Sequence, residues 1–220
     1  MMIIAIDGTA ASGKGTLGRT LAMRLGLDHL DTGLLYRAVG LAAKQANLDI
    51  ENANDDAIEA LVKSLILSQK FGPELRGTEV GELASKVAAL PLVRNCLLEK
   101  QREFAQQPPH GKGAVLDGRD IGSVVLPDAD AKFFVDAAAD IRAKRRHLEL
   151  KARGENIEFS EVLSDIIQRD CRDKNRTVAP LIAADDAFFI DSSDKNADEV
   201  LAICLDHLDG EHKPQLATTL

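Results

Sequence analysis

The sequence predicts an α/β fold in which a parallel five-stranded sheet is flanked by helices. Three observations carry that expectation. Short apolar runs at 2–6, 114–116, 131–135 and 187–190 have the composition of strands covered on both faces. Each is followed within a few residues by polar turn chemistry and then a longer helical pattern, the alternation that builds parallel sheets. The first run also ends directly in a glycine-rich loop that opens a helix.

Taken in order, Met2-Ile3-Ile4-Ala5-Ile6 is the first strand and 14–26 the first helix; Leu27 to Leu30 supplies a shorter strand, and 33–47 the second helix. From Leu48 the alternation breaks. A helix over 55–68 is followed by the turn-prone Phe71-Gly72-Pro73 and Arg76-Gly77-Thr78, so 48–85 is expected to be a small insert between core segments 1–47 and 86–209. One long helix is expected over 79–106, and Pro108-Pro109-His110-Gly111 turns the chain into the strand at 114–116. After the strand at 131–135 come helices over 138–153 and 159–175, with 140–158 as a helical lid. The strand at 187–190 and a helix over 196–208 close the core. Residues 210–220 have neither periodicity nor turn order and are expected to be a disordered tail.

Composition narrows the function. The 220 residues carry 35 acidic against 27 basic side chains, a net charge of -8, which argues against nucleic-acid or membrane-surface partners. With no Trp and one Tyr, an aromatic platform for stacking bases is not expected. No apolar run approaches the ~18 residues that span a bilayer, and Met1 to Ile6 lacks a signal-peptide layout, so a cytoplasmic protein is expected. Cys96, Cys171 and Cys204 have no metal-site spacing and read as free thiols buried as small hydrophobes.

Gly8-Thr9-Ala10-Ala11-Ser12-Gly13-Lys14-Gly15-Thr16 fits G-x-x-x-x-G-K between a strand and a helix. Gly8 and Gly13 let the backbone curl so that successive N–H groups face one phosphate, and Lys14 reaches the β- and γ-phosphates. Gly15 displaces the hydroxyl to Thr16, so the metal is expected to be Mg2+, held mostly through water and phosphate, with Thr16 an indirect contact.

Gly13-Lys14-Gly15-Thr16 is similar to the loop of the nucleoside monophosphate kinases, and the phosphoryl transfer to a second nucleotide that this resemblance implies needs cations on the acceptor as well. Asp31-Thr32-Gly33-Leu34-Leu35-Tyr36-Arg37 starts a helix, and Asp117-Gly118-Arg119-Asp120 ends a strand, where open α/β sheets carry ligands. Arg169, Arg172, Asp173 and Arg176 fall on one helical face and suit two-pronged phosphate contacts plus a ribose hydroxyl. A basic stretch of Arg142, Lys144, Arg145, Arg146, Lys151 and Arg153 suits either a lid over ATP or a solvated face.

G-x-x-A-S-G-K-G-T, D-T-G-x-x-Y-R, S-x-V-A-A-x-P-x-V-R, D-G-R-D-I-G and R-D-x-R-D-x-N-R-x-V-A-P-L recur in order from Gly8 to Leu181. Together they resemble the bacterial cytidylate kinases, P-loop kinases of the nucleoside monophosphate group. The resemblance implies ATP and CMP or dCMP as substrates, ATP on Gly8, Ala10 to Thr16 and Arg145, and Lys14, Arg119 and Arg176 as catalytic groups. It implies cytosine contacts at Ser85, Arg94 and Asp120, ribose contacts at Arg169 and Asp173, and phosphate contacts at Thr32, Arg37, Arg119 and Arg176. Gly118 and Tyr36 would line the same pocket, and the expected state is a monomer. Two departures accompany it. Thr9 stands where a proline is common, and 65–94 is shorter than in many members, leaving Leu65-Ile66-Leu67 in place of a strand-rich hairpin. A regulatory nucleotide switch and a P-loop kinase for another small metabolite are the competing readings; the displaced hydroxyl and the acceptor-side arginines count against the switch.

Overall fold

The computed structural model describes residues 1–50, 52–65 and 72–211. Five strands, β1 (Met2–Gly8), β2 (Asp28–Asp31), β3 (Gly113–Gly118), β4 (Ala131–Asp136) and β5 (Phe188–Asp191), form one sheet in the order β2-β3-β1-β4-β5. All four pairings are parallel. The first strand therefore lies at the centre, and the chain leaves it on one side and later returns on the other. That change of direction opens a crevice at the carboxyl ends of the strands.

Both faces of the sheet are covered. Ala5 of β1 and Ala114 and Leu116 of β3 point into a core with α2 (Thr32–Gln45), α3 (Asp55–Ser64), α4 (Thr78–Val87) and α5 (Pro91–Gln106). Their neighbours Ile4, Ile6 and Val115 point the other way, onto α1 (Lys14–Leu25) and α8 (Ala197–Glu211). This alternation is the two-residue period of a strand, filled with apolar residues on both sides. Ile58 and Val62 of α3 join the first of these cores, and α3 packs against α5 and α2, the helices that cover that face of the sheet. The hairpin of α6 (Ala139–Ala152) and α7 (Phe159–Asn175) has a small core of its own, Ala143, Leu150, Val162 and Ile166.

The observed strands and most helices match the expected ones to within a residue or two. Four expectations are corrected. The long helix over 79–106 is two helices, because Leu90 is extended (φ -82, ψ 120) before Pro91, whose ring disfavours a helical predecessor and whose own position suits a helix start. Helix α8 continues through Gly210 to Glu211, leaving only 212–220 of the expected tail outside the described residues. Cys171 is exposed and Cys96 half-buried; only Cys204 is a buried small hydrophobe, and its thiol is pushed up to about 12 by burial. Helix α3 ends at Ser64, and Ile66 and Leu67 lie outside the described residues. After β3 the chain makes a π-helical turn, Ile121–Val125, that no periodicity in the sequence announces. Among the described residues no helix is long and apolar enough to cross a membrane.

Candidate active site

A cavity of about 450 Å³ opens at the carboxyl ends of β1, β2 and β3. Its walls come from the phosphate loop, the start of α2, α4, α5, the end of β3, and the α6–α7 hairpin. In the loop, Ala11 (φ 60) and Gly13 (φ 94) take left-handed backbone, which curls the chain under α1. Gly8 is required by packing: a Cβ there would lie 1.9 Å from the carbonyl oxygen of Val135. Lys14 reaches back to the carbonyl of Thr9 at 3.2 Å. Burial, aided by Arg119, lowers its amine to about 7, against the pull of Asp117 and Asp31.

The opposite wall is a lattice of arginines and carboxylates. Arg94 pairs with the buried Asp120, donates to the carbonyl of Ala88 at 3.2 Å and lies over the Tyr36 ring, 5.7 Å from its centre. Arg176 Nη2 is 3.6 Å from the other oxygen of Asp120, and its Nε donates to the carbonyl of Ala179. Arg119 Nε donates to Asp173 at 2.9 Å, and Arg169 stands 3.9 Å from the same oxygen. Although burial works against it, Asp173 is held below the ordinary carboxylate range by Arg119 and Arg169. Burial and the neighbouring Arg119 lower Arg169 to about 9. Packing guanidinium groups this closely is costly unless an anion joins them. Thr32 donates to the carbonyl of Asp117 at 2.8 Å, and Arg37 to those of Leu75 and Gly77. The Ser85 hydroxyl is buried with no hydrogen-bond partner.

The cavity brings together Ala10, Ala11, Lys14, Gly15, Thr32, Tyr36, Arg37, Ser85 and Arg94 with Gly118, Arg119, Asp120, Arg169, Asp173 and Arg176. Five expected residues stand outside its walls. Gly8 and Gly13 shape the loop, Ser12 is buried beneath it, and Thr16 is exposed on α1. Arg145 turns away to the carbonyls of Ser192 and Lys195. From the same basic stretch it is Arg146 and Arg153 that line the cavity, both paired with Glu149. Arg142 is buried; it holds Asp170 of α7 with two hydrogen bonds and donates to the carbonyl of Ala10. Sequence reasoning also missed Asp31 and Asp117, which pair in register at the ends of β2 and β3 and face Lys14. A carboxylate ending a strand beside the phosphate loop was the available signal. His29 holds Asp117 at 2.8 Å, in space left by Gly18, where a Cβ would meet the imidazole at 2.8 Å. Across the mouth, the Thr78 hydroxyl at the start of α4 donates to Glu155, in the α6–α7 connection, at 3.1 Å.

The family model described as cytidylate kinase matches residues 4–209. The chain belongs to the cytidylate kinase family. A cytidylate kinase of Paramagnetospirillum magneticum is 51% identical over 203 residues, covering 92% of this chain and 95% of its own. One from Bradyrhizobium diazoefficiens is 55% identical over 194 residues, covering 87% and 88%. Among solved structures, an uncharacterised protein of Eubacterium ventriosum shares the fold, with a TM-score of 0.54 at 16% identity, over 95% of this chain and 99% of that one. The matched span runs from β1 into α8, so the cytidylate kinase match includes every wall of the cavity.

Proposed function

We propose that the protein transfers the γ-phosphoryl group of ATP to CMP or dCMP, giving ADP and CDP or dCDP. The observation that carries the reading is one cavity with Lys14 and the phosphate loop on one side and Arg119, Arg169 and Arg176 on the other. Two polyanions repel as they approach, and cations fixed in advance on both offset that repulsion without reorganising during the reaction. Lys14 and the loop amides bind the donor. Arg37, Arg119 and Arg176 bind the acceptor phosphate, and Asp173 and Arg169 its ribose. Transfer is direct and in line, with no covalent intermediate on the protein.

The base is read at Ser85, Arg94 and Asp120. Cytosine offers an amino donor beside two acceptors, and a buried, unpartnered Ser85 hydroxyl with the Arg94–Asp120 pair supplies complementary groups. Uracil reverses two of those positions and leaves protein groups unpaired. The donor set also fits Mg2+. Asp31 and Asp117 offer two neighbouring carboxylates rather than a cage, which suits a cation that keeps several waters and takes its other ligands from phosphate. When bound, it neutralises charge on the transferring group. Asp31 and Asp117 would hold it, with Thr16 at most an indirect contact through water, in a cytoplasmic monomer with Cys96, Cys171 and Cys204 as free thiols.

A coupled assay of ADP formation over a panel of nucleoside monophosphates and small hydroxylated acceptors tests the reading. CMP and dCMP should lead, with UMP detectable but poor. Ser85→Ala should lower kcat/KM for CMP about tenfold and leave that for UMP within about threefold, because one hydrogen bond to the base is lost. Preference for an acceptor other than a cytidine nucleotide sinks the proposal.

A further inference from the structure

Asp7 is the penultimate residue of β1, directly before Gly8 where the phosphate loop opens, and it is 4% exposed. Its carboxylate faces the acceptor side of the molecule. Oδ1 accepts the N–H of Ile121 and Oδ2 that of Gly122, each at 2.7 Å. These amides begin the π-helical turn after β3, where the first N–H groups have no partner within the turn. Left buried and unpaired, each would carry a desolvation cost.

The residue immediately before them is Asp120, the partner of Arg94 and neighbour of Arg176. Its backbone (φ -147, ψ 26) lies away from the helix and strand minima, so its direction depends on where Ile121 and Gly122 are pinned. Packing leaves those two little freedom: a Cβ on Gly122 would come within 3.1 Å of Lys132 Cδ and 3.5 Å of Asp7 Oδ2.

We propose that Asp7 is a positioning residue for the acceptor pocket: by clamping Ile121 and Gly122 it fixes Asp120, and through Asp120 the guanidinium groups of Arg94 and Arg176. Both hydrogen bonds of the Asp7 carboxylate run to the acceptor side, so the clamp acts on that pocket and leaves the donor loop to its own contacts. The inference rests on the reading of the pocket as a CMP site.

Burial raises the Asp7 carboxyl to about 7, with Asp120 adding to the rise, while the two amides and Arg119 pull it down. Lys132 of β4 also packs beside Gly122, with its amine held by Asp186. The clamp is therefore fully ionised only above neutrality. Because the folded value lies above the ordinary 3.8, the folded chain binds this proton more tightly than the unfolded one. Its stabilising effect is complete at low pH and is lost as pH rises through about 7. Positioning and stability thus pull in opposite directions at this residue.

Asp7→Asn retains the shape and one acceptor but turns an amide N–H toward the second backbone N–H. In calorimetric titrations at about pH 8, its CMP affinity should drop roughly ten- to a hundredfold, while affinity for a non-hydrolysable ATP analogue stays within about threefold. Its melting temperature relative to wild type should climb between about pH 5.5 and 8.5, since it lacks the buried charge. A second measurement needs no variant. In 1H–15N spectra of the wild-type protein, the amides of Ile121 and Gly122 should titrate together with a midpoint near 7. The proposal is overturned by unchanged CMP affinity in the variant, by equal losses for both nucleotides, or by amides that stay still across that range. If Asp7→Asn does not fold, the amide titration decides. If the wild-type protein does not bind CMP, the substrate reading fails, while the amide titration still tests the clamp alone.

Discussion

A lysine amine lowered to about 7, beside a loop shaped for phosphates, has a proton to gain. Polyphosphate restores the charge that burial and Arg119 take away, so binding should draw a proton onto Lys14. Calorimetry at about pH 8 in buffers of different ionisation heat should record an uptake approaching one proton per ATP analogue, absent in Lys14→Met. The sign for folding is fixed by the same shift. The unfolded chain holds this proton more tightly, so Lys14's contribution to stability grows as pH rises from about 7 toward 10.5. At the acceptor, Arg176 divides its guanidinium between the carbonyl of Ala179 and Asp120, and a single ammonium cannot serve both. Arg176→Lys should lose roughly a hundredfold in kcat/KM, nearly as much as Arg176→Ala. Most residues lining the cavity were legible because their types admit few other uses at strand ends and helix starts. Arg142 was not. Within a run of cations it is indistinguishable from its neighbours, yet it is the one drawn inward to Asp170 and Ala10. Removing it leaves a largely buried carboxylate without its partner, and Arg142→Ala should cost about 3–5 kcal/mol in denaturant unfolding.

Helices α2 and α4 form one wall of the pocket between them, and Gly40 sets their spacing: a Cβ there would lie 2.8 Å from that of Leu83. Gly40→Val should force the helices apart at a cost of about 1–3 kcal/mol, and raise KM for CMP more than KM for ATP, because Tyr36, Arg37 and Ser85 ride on these two helices. Thermal unfolding together with steady-state kinetics checks both parts. At this scale the strands read clearly, since each is a compact apolar run with little else it can become. The join between α4 and α5 did not. Ala88, Ala89 and Leu90 carry the helical pattern straight across the break, and its one signal is Pro91, which disfavours a helical predecessor and suits a helix start. The π-helical turn after Asp120 was equally silent, because its cap is supplied by Asp7, more than a hundred residues away.

Across the whole molecule, the cavity follows from one fact the sequence did reveal, a phosphate loop leaving the first strand, which the structure puts at the centre of the sheet. The crevice beside that strand is where two nucleotides can meet. What the sequence does not carry is the distance between α4, which packs on α2, and the α6–α7 connection, whose hairpin has a core of its own. The hydrogen bond from Thr78 to Glu155 closes that distance over the cavity. Its consequence is a debt of symmetry. On the proposed placement of the two nucleotides, a bond between these elements should make each ligand's affinity depend on its partner's presence, by the same factor in both directions. That factor should be measurable as the ratio of CMP dissociation constants with and without an ATP analogue. It should shrink toward one in Thr78→Val, and the reverse titration must return the same number, so that neither nucleotide can be called the first to close the site.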